Sequence, residues 1–121
     1  MTGRAEPVPV LISGEIDMAP GVREATLRDA RPFIAAALAE SGCVHYAWTA
    51  DPELPDRIHV FEQWDTEADL AAHLVGQPYL DMAGHLAAAG IVHADTRKYR
   101  VDLIEPVYDP DGKPRADFFT A

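Results

Sequence analysis

The chain has 121 residues, which is enough for one domain with one core. Apolar residues make up 48% of it and charged residues 25%, and no apolar run approaches the roughly 20 residues of a membrane span, so the composition excludes a membrane protein. Twenty acidic against ten basic residues give a net charge of -10, which argues against nucleic acid or an anionic membrane as partner. The segment 1–9 lacks an apolar stretch of signal-peptide length, so we expect a cytoplasmic protein.

Four runs of the sequence have the composition and alternation of β-strands. They cover about residues 8–18, 43–49, 57–64 and 91–105. The second and third runs are separated by the turn-rich segment 51–56, which predicts an antiparallel hairpin with a longer loop.

Three helical segments lie between these runs, over about residues 20–41, 66–75 and 78–90. In the first, Pro20 suits the first helical turn and Gly42 suits a left-handed residue after the helix. Pro32 interrupts the same segment, because a proline inside a helix removes a hydrogen bond and clashes with the preceding turn. We therefore expect a kink near Asp29, or two helices.

The predicted order is βαββαβ, with the second α divided in two, which is the ferredoxin-like pattern of the α+β class. It predicts one domain over residues 1–121, with a core at about 8–105 built on a four-stranded antiparallel sheet and a C-terminal tail at 106–121. Apolar side chains occur on both faces of the strands, so we expect a homodimer joined through its sheets. In the tail, Asp109–Gly112 predicts a turn, and we expect Phe118 and Phe119 to dock on their own subunit or on the partner.

The titratable residues show no metal-binding motif, and we predict no metal. The five histidines are His45, His59, His73, His85 and His93, and none lies in an HxH, HExxH or His/Cys knuckle spacing. Cys43 is the single cysteine, so it has no disulfide partner within the chain. Nucleotide-binding loops and a GxSxG elbow are also absent from the sequence.

A set of short motifs resembles the antibiotic biosynthesis monooxygenase superfamily, and the resemblance covers about residues 8–104. The motifs are Gly42-Cys43-Val44-x-Tyr46, then Val60-Phe61-Glu62-x-Trp64, then His73 nine residues later. The resemblance implies a ferredoxin-like protomer, a dimeric α/β barrel, and a pocket in each protomer between sheet and helices. Relatives of the quinol monooxygenase type oxidise polycyclic phenols or quinols with molecular oxygen and without metal or flavin.

Two features of this sequence depart from that family. Some cofactor-free members use an asparagine near the substrate, and this chain contains no asparagine. Another branch binds and degrades haem; its ligand histidine aligns with Gly84, next to His85, and an aromatic residue of that branch aligns with His73.

Cofactor-free oxygenation requires a base to form an electron-rich anion, donors for its oxygen, and a dry apolar slot. The resemblance and the residue types make His73 the candidate base, with Trp64 and Tyr46 as walls of the slot and the Tyr46 hydroxyl as a donor. Glu62 is a candidate for substrate binding that would orient a histidine or pair with an arginine. The candidate substrate-binding residues on the later helical segment are Tyr79 and His85.

Each of these residues also has a purely structural interpretation: a hydrogen-bonded core histidine, sheet-core aromatics, and a glutamate in a dimer salt bridge. The leading hypothesis is a cofactor-independent monooxygenase that oxidises a phenolic, quinol or polyketide-like aromatic, with molecular oxygen as co-substrate. The first alternative is a non-catalytic dimeric barrel that binds a hydrophobic small molecule. The second is a haem-binding degradase.

Overall fold

The computed structural model describes residues 7–121. In chain order the elements are β1 (Val10–Met18), α1 (Arg23–Asp29), α2 (Arg31–Leu38), β2 (Cys43–Ala50), β3 (Arg57–Trp64), α3 (Glu67–Leu74), α4 (Gln77–Ala89) and β4 (Ile91–Arg100). This is the predicted βαββαβ order, with both helical segments divided into two helices. Across the described residues, every helix is too short or too polar to cross a membrane.

The four strands form one antiparallel sheet in the order β2-β3-β1-β4, with the helices packed on one face. The side chains of β1 and β3 that point toward the helices form half of the buried hydrophobic core, including Val10, Ile16, Ile58, Val60 and Trp64. They are buried because alternate residues of a strand share one face. This architecture is ferredoxin-like and α+β, which confirms the predicted fold class.

The first helical segment is two helices that meet at Ala30, which confirms the break predicted near Asp29. Pro32 lies in the first turn of α2, where its missing N–H would have no partner inside the helix in any case. A continuous helix would place the same proline in its interior, where the ring clashes with the preceding turn.

The predicted ends of that segment need correction. Pro20 is not in a helical turn, because Gly21 after it has a φ of +81° and α1 begins only at Arg23. The Gly21 N–H donates to Asp56 Oδ1 over 3.1 Å, which ties this turn to the β2–β3 loop. Gly42 has the predicted left-handed φ, +77°, but α2 ends earlier, at Leu38.

The last strand ends at Arg100, five residues before the predicted end at Glu105. Its hydrogen-bonded neighbour β1 begins at Val10, which is paired with Arg100. One further backbone bond joins Val101 N–H to the Pro9 carbonyl over 3.0 Å. Among residues 7–121 no strand lies beside the chain beyond this bond, so β4 ends before the alternating pattern of the sequence does.

The tail turn is as predicted, since Gly112 has a φ of +81° and Asp109 Oδ1 accepts from the N–H groups of Asp111 and Lys113. The Phe119 N–H donates to Glu105 over 3.0 Å, but the Phe118 side chain is 64% exposed. Phe118 therefore does not dock on its own subunit, and docking on a partner stays a prediction.

The sheet face opposite the helices is divided into an apolar end and a charged end. At the apolar end Phe61 and Tyr99 lie on either side of β1 and are exposed, and Leu11 pairs with Tyr99. At the other end Arg57 forms an ion pair with Asp17, with 2.8 Å between Nε and Oδ1. The predicted occurrence of apolar side chains on both faces is therefore found at one end of the sheet.

A test of strand packing concerns Gly14, which pairs with Thr96 across β1 and β4. A Cβ at Gly14 would overlap the Asp95 carbonyl oxygen and lie 2.5 Å from Thr96 Cα. We expect Gly14→Ala to lower the free energy of unfolding by about 1–3 kcal/mol, the usual cost of overpacking, as measured by urea denaturation. The matched control is Gly84→Ala in α4, where the added methyl meets open space and should raise the free energy of unfolding by about 1 kcal/mol. Equal effects of the two substitutions would refute this account.

Candidate active site

A cavity of about 330 Å³ lies between the helix-covered face of the sheet and the helices α3 and α4. Its apolar wall includes Ile12 and Ile16 of β1, Ala94 of β4, and Met82 and Leu86 of α4. The residues with polar groups in its wall are Tyr46, Trp48, Glu62, His73, Tyr79 and Thr96. A mostly apolar cavity of this size with a few polar groups is typical of a small-molecule site.

His73 is held in the last turn of α3 by the way that helix begins. The Thr66 hydroxyl oxygen accepts from the Asp69 N–H over 3.1 Å, an N-cap that starts α3 two residues after β3 ends at Trp64. Leu70 and His73 are one turn apart on the buried face of the helix. The cap fixes the residue at which α3 begins, and this start places His73 on the side of the helix that faces the core. Only 2% of the residue is exposed.

Three aromatic side chains surround the His73 ring. The Trp64 ring is closest, with 4.5 Å between centroids, and the Tyr46 and Tyr79 rings meet it edge-on at 5.6 Å each. Trp64 is fully buried and lies behind His73 rather than in the cavity wall. The structure therefore brings together His73, Trp64, Tyr46 and Tyr79 from the predicted site.

Glu40, just after α2, is a site residue that the sequence analysis missed. Its Oε1 lies 2.6 Å from His73 Nδ1. Since an ionised carboxylate only accepts hydrogen bonds, this contact places a proton on Nδ1 and leaves the Nε2 lone pair free in the neutral ring. The two residues are 33 positions apart, and no spacing in the sequence signals their contact.

Glu62 lies on the other side of the imidazole, with 4.0 Å between its Oε1 and His73 Nε2. The Trp64 Nε1–H donates to the same oxygen over 3.0 Å. Burial raises the pKa of Glu62, an effect that the Trp64 hydrogen bond and the neighbouring His73 partly offset. The predicted contact of Glu62 with a histidine is thus present, as a close approach rather than a hydrogen bond.

Tyr46 and Trp48 extend from the same face of β2 and both line the cavity. Burial, and secondarily the negative charge of Glu62, raise the pKa of Tyr46, so its hydroxyl stays protonated and can donate. The Trp48 indole N–H lies near enough to oppose that shift, yet it makes no hydrogen bond of acceptable geometry.

His85 lies apart from the other predicted residues. Its Nε2 is 2.8 Å from the Thr26 carbonyl oxygen, and its ring packs on Phe33 with 5.4 Å between centroids. Tyr79 and His85 are six residues apart on α4, which places them on different sides of the helix. His85 thus faces α1 and α2, while Tyr79 lines the cavity.

Two positions relevant to the haem branch also lie outside the cavity wall. Gly84 has no side chain, and His85 is engaged with Thr26, so the residues that the resemblance aligned with an iron ligand present no nitrogen to the cavity. Within residues 7–121, no three or more His, Cys, Asp or Glu side chains group so as to hold a metal ion.

The fold and this cavity define a small ferredoxin-like α+β protein with a buried histidine at a ligand-sized site. A family model for antibiotic biosynthesis monooxygenases matches residues 9–84, which is more than half of the chain. The chain therefore belongs to the antibiotic biosynthesis monooxygenase family.

Solved structures share the fold. A conserved protein from Methanosarcina mazei has a TM-score of 0.71 and 18% identity, over 78% of this chain and 94% of its own. A Deinococcus radiodurans protein, provisionally assigned as an antibiotic biosynthesis monooxygenase, has a TM-score of 0.72 and 16% identity, over 80% and 96%. Protein PA3566 from Pseudomonas aeruginosa has a TM-score of 0.67 and 26% identity, over 81% and 97%. None of the curated proteins matches this chain.

The buried carboxyl group predicts a pH dependence of stability. The pKa of Glu62 is raised above its ordinary value of 4.5 in the folded protein, so above pH 4.5 the unfolded chain loses this proton first. The contribution of Glu62 to the free energy of unfolding is complete below pH 4.5. It is lost as the pH rises from 4.5 through the pKa of the folded protein. Glu62→Gln cannot ionise and keeps an acceptor for Trp64, so we expect its free energy of unfolding, relative to wild type, to increase over that range. Urea unfolding at a series of pH values measures this, and a difference that does not change with pH would show the explanation to be wrong.

Proposed function

We propose that the protein is a monooxygenase that oxidises a phenolic, quinol or polyketide-like aromatic substrate with molecular oxygen and without a cofactor. The observation that carries this proposal is the His73 imidazole, with Nδ1 bonded to Glu40 and with Nε2 unbonded at an apolar cavity. A base in a dry site is what formation of a phenolate requires, and the phenolate transfers an electron to oxygen more readily than the phenol.

The proposed reaction begins when His73 Nε2 removes the proton of a substrate hydroxyl. The resulting imidazolium is stabilised by Glu40 at Nδ1. Oxygen then adds to the electron-rich ring as a peroxide. His73 returns its proton to the outer oxygen. The O–O bond then breaks as the attacked ring carbon loses its hydrogen as a proton, so the inner oxygen becomes a carbonyl and the outer oxygen leaves as water.

This scheme balances for a quinol without an external reductant. One oxygen atom enters the ring and the other leaves as water. The electrons for that water come from the substrate, which ends as a hydroxylated quinone.

Family membership and the exposed apolar end of the sheet, with Phe61 and Tyr99, support the proposal that the working form is a homodimer. Light scattering should then give a mass of twice the 13.2 kDa of one chain. Phe61→Asp should shift the mass toward that of the monomer, because it places a charge at the contact. A monomeric wild type would refute this part of the proposal.

The main test is oxygen uptake by metal-free protein with a panel of hydroquinones and hydroxylated anthracenes. We expect uptake by the wild type and a fall in kcat of about 100-fold or more for His73→Ala, the usual contribution of a general base. The control is His93→Ala, an exposed histidine on β4, which should leave uptake unchanged. Equal uptake by wild type and His73→Ala would remove His73 from the mechanism.

The substitution Glu40→Gln tests whether Glu40 positions the proton of His73 or only stabilises the fold. In the wild type, imidazole ¹⁵N chemical shifts should report a proton on Nδ1 of His73, because Glu40 accepts it. In the variant the amide can either donate or accept, so we expect a mixture of tautomers and a lower kcat with KM little changed. Binding of these aromatics with no uptake at all would favour the non-catalytic binding module instead.

A further inference from the structure

Trp48 Nε1 is the only buried side-chain nitrogen or oxygen atom in residues 7–121 that has no hydrogen-bond partner. A buried donor without a partner costs about 1–3 kcal/mol, so folded proteins retain few of them. A phenylalanine would cover much of the same sheet surface without that cost. The unpaired indole N–H is therefore available to donate to an acceptor that is not part of the protein.

The nearest polar group of the same strand is the Tyr46 hydroxyl. Tyr46 and Trp48 have ring centroids 6.1 Å apart and line the same cavity. The Tyr46 hydroxyl lies close to the Trp48 N–H without a hydrogen bond of acceptable geometry, and burial keeps this hydroxyl protonated. Two neighbouring donors, one O–H and one N–H, thus lack a well-placed acceptor on two residues that line one cavity.

We propose that the Trp48 N–H and the Tyr46 O–H together bind one oxygen substituent of an aromatic ligand, either a phenolate or a quinone carbonyl oxygen. This inference rests on the proposed function, which it extends by making Trp48 a specificity-determining residue. Two donors in a site with little water form stronger hydrogen bonds than they would in solution. They would favour the oxygenated ring over the same ring without its oxygen.

The arrangement also fits the chemistry assigned to His73. Removal of a phenol proton leaves negative charge on oxygen, and fixed donors stabilise such charge as it develops. The neighbouring Glu62 carboxyl would oppose an anion when ionised, and its raised pKa extends to higher pH the range over which it is neutral. Tyr46 and Trp48 would therefore act on the substrate oxygen, while His73 acts on the proton.

The test measures binding of 2-naphthol and of naphthalene by equilibrium dialysis under anaerobic conditions, so that turnover plays no part. We expect Trp48→Phe to weaken binding of 2-naphthol about fivefold, the loss of one neutral hydrogen bond, and to leave naphthalene binding unchanged. Tyr46→Phe should have a similar effect. The matched control is Tyr108→Phe, at an exposed tyrosine outside the cavity wall, which should change neither affinity.

A second readout follows the indole N–H directly. The chain has two tryptophans, so Trp48→Phe assigns the two indole ¹H–¹⁵N signals. With 2-naphthol the Trp48 signal should move downfield and its exchange with water should slow, and naphthalene should produce neither change. Thermal unfolding of Trp48→Phe should match or exceed that of the wild type, because the substitution removes an unpaired donor.

The outcomes separate this inference from the proposed function. If 2-naphthol binds wild type and Trp48→Phe equally, the inference is wrong and the proposed oxygenation is unaffected. If Trp48→Phe selectively loses 2-naphthol but the wild type consumes no oxygen with any phenol, the inference holds and the oxygenase proposal fails. If the wild type binds neither compound, the inference is refuted, and oxygen uptake with the hydroquinone and anthracene panel decides the proposed function.

Discussion

The burial of the His73 imidazole between two carboxyl groups is the constraint on which the rest of the site depends. A polar ring that is 2% exposed must find partners inside the protein, because it has lost its hydrogen bonds to water. Glu40 accepts a hydrogen bond from Nδ1 of His73, and the Trp64 ring packs on the imidazole. The Trp64 N–H in turn donates a hydrogen bond to Glu62. Removal of Glu40, Glu62 or Trp64 leaves another buried polar atom unpaired, so these side chains stabilise one arrangement together.

The ferredoxin-like topology explains how such distant residues meet. Glu40 comes from the turn after α2, Glu62 and Trp64 from alternate positions of β3, and His73 from α3. Because β3 runs directly into the Thr66 cap, the position of α3 above Trp64 depends on a connection of only two residues. The bond from His73 to Glu40 then joins the two helical segments of the chain, which follow different strands.

The sequence predicted the parts of this structure that follow from local rules. Pro32 predicted the division of the first helix, Gly42 the left-handed residue that follows it, and the turn-rich segment 51–56 the antiparallel hairpin of β2 and β3. The end of β4 could not be predicted, because it depends on where β1 begins rather than on the residues of β4.

Local sequence patterns also could not predict which residues the histidines contact. His73 and His85 both follow helical spacing, but the position of the helices on the sheet decides that one contacts Glu40 at the cavity and the other contacts Thr26. The family resemblance named His73, whereas its partner Glu40 emerged only from tertiary contact.

The placement of the costly groups favours a ligand with polar groups over a purely apolar one. A cavity that only sequesters an apolar molecule needs apolar walls, and the buried carboxyl of Glu62 and the unpaired N–H of Trp48 would each weaken such a protein for no gain. Both groups instead line one cavity together with an imidazole whose second nitrogen is bonded to a carboxylate. Perturbed and unpaired polar groups collected at one cavity are characteristic of sites that move protons. The same groups distributed through the core would support only a structural role.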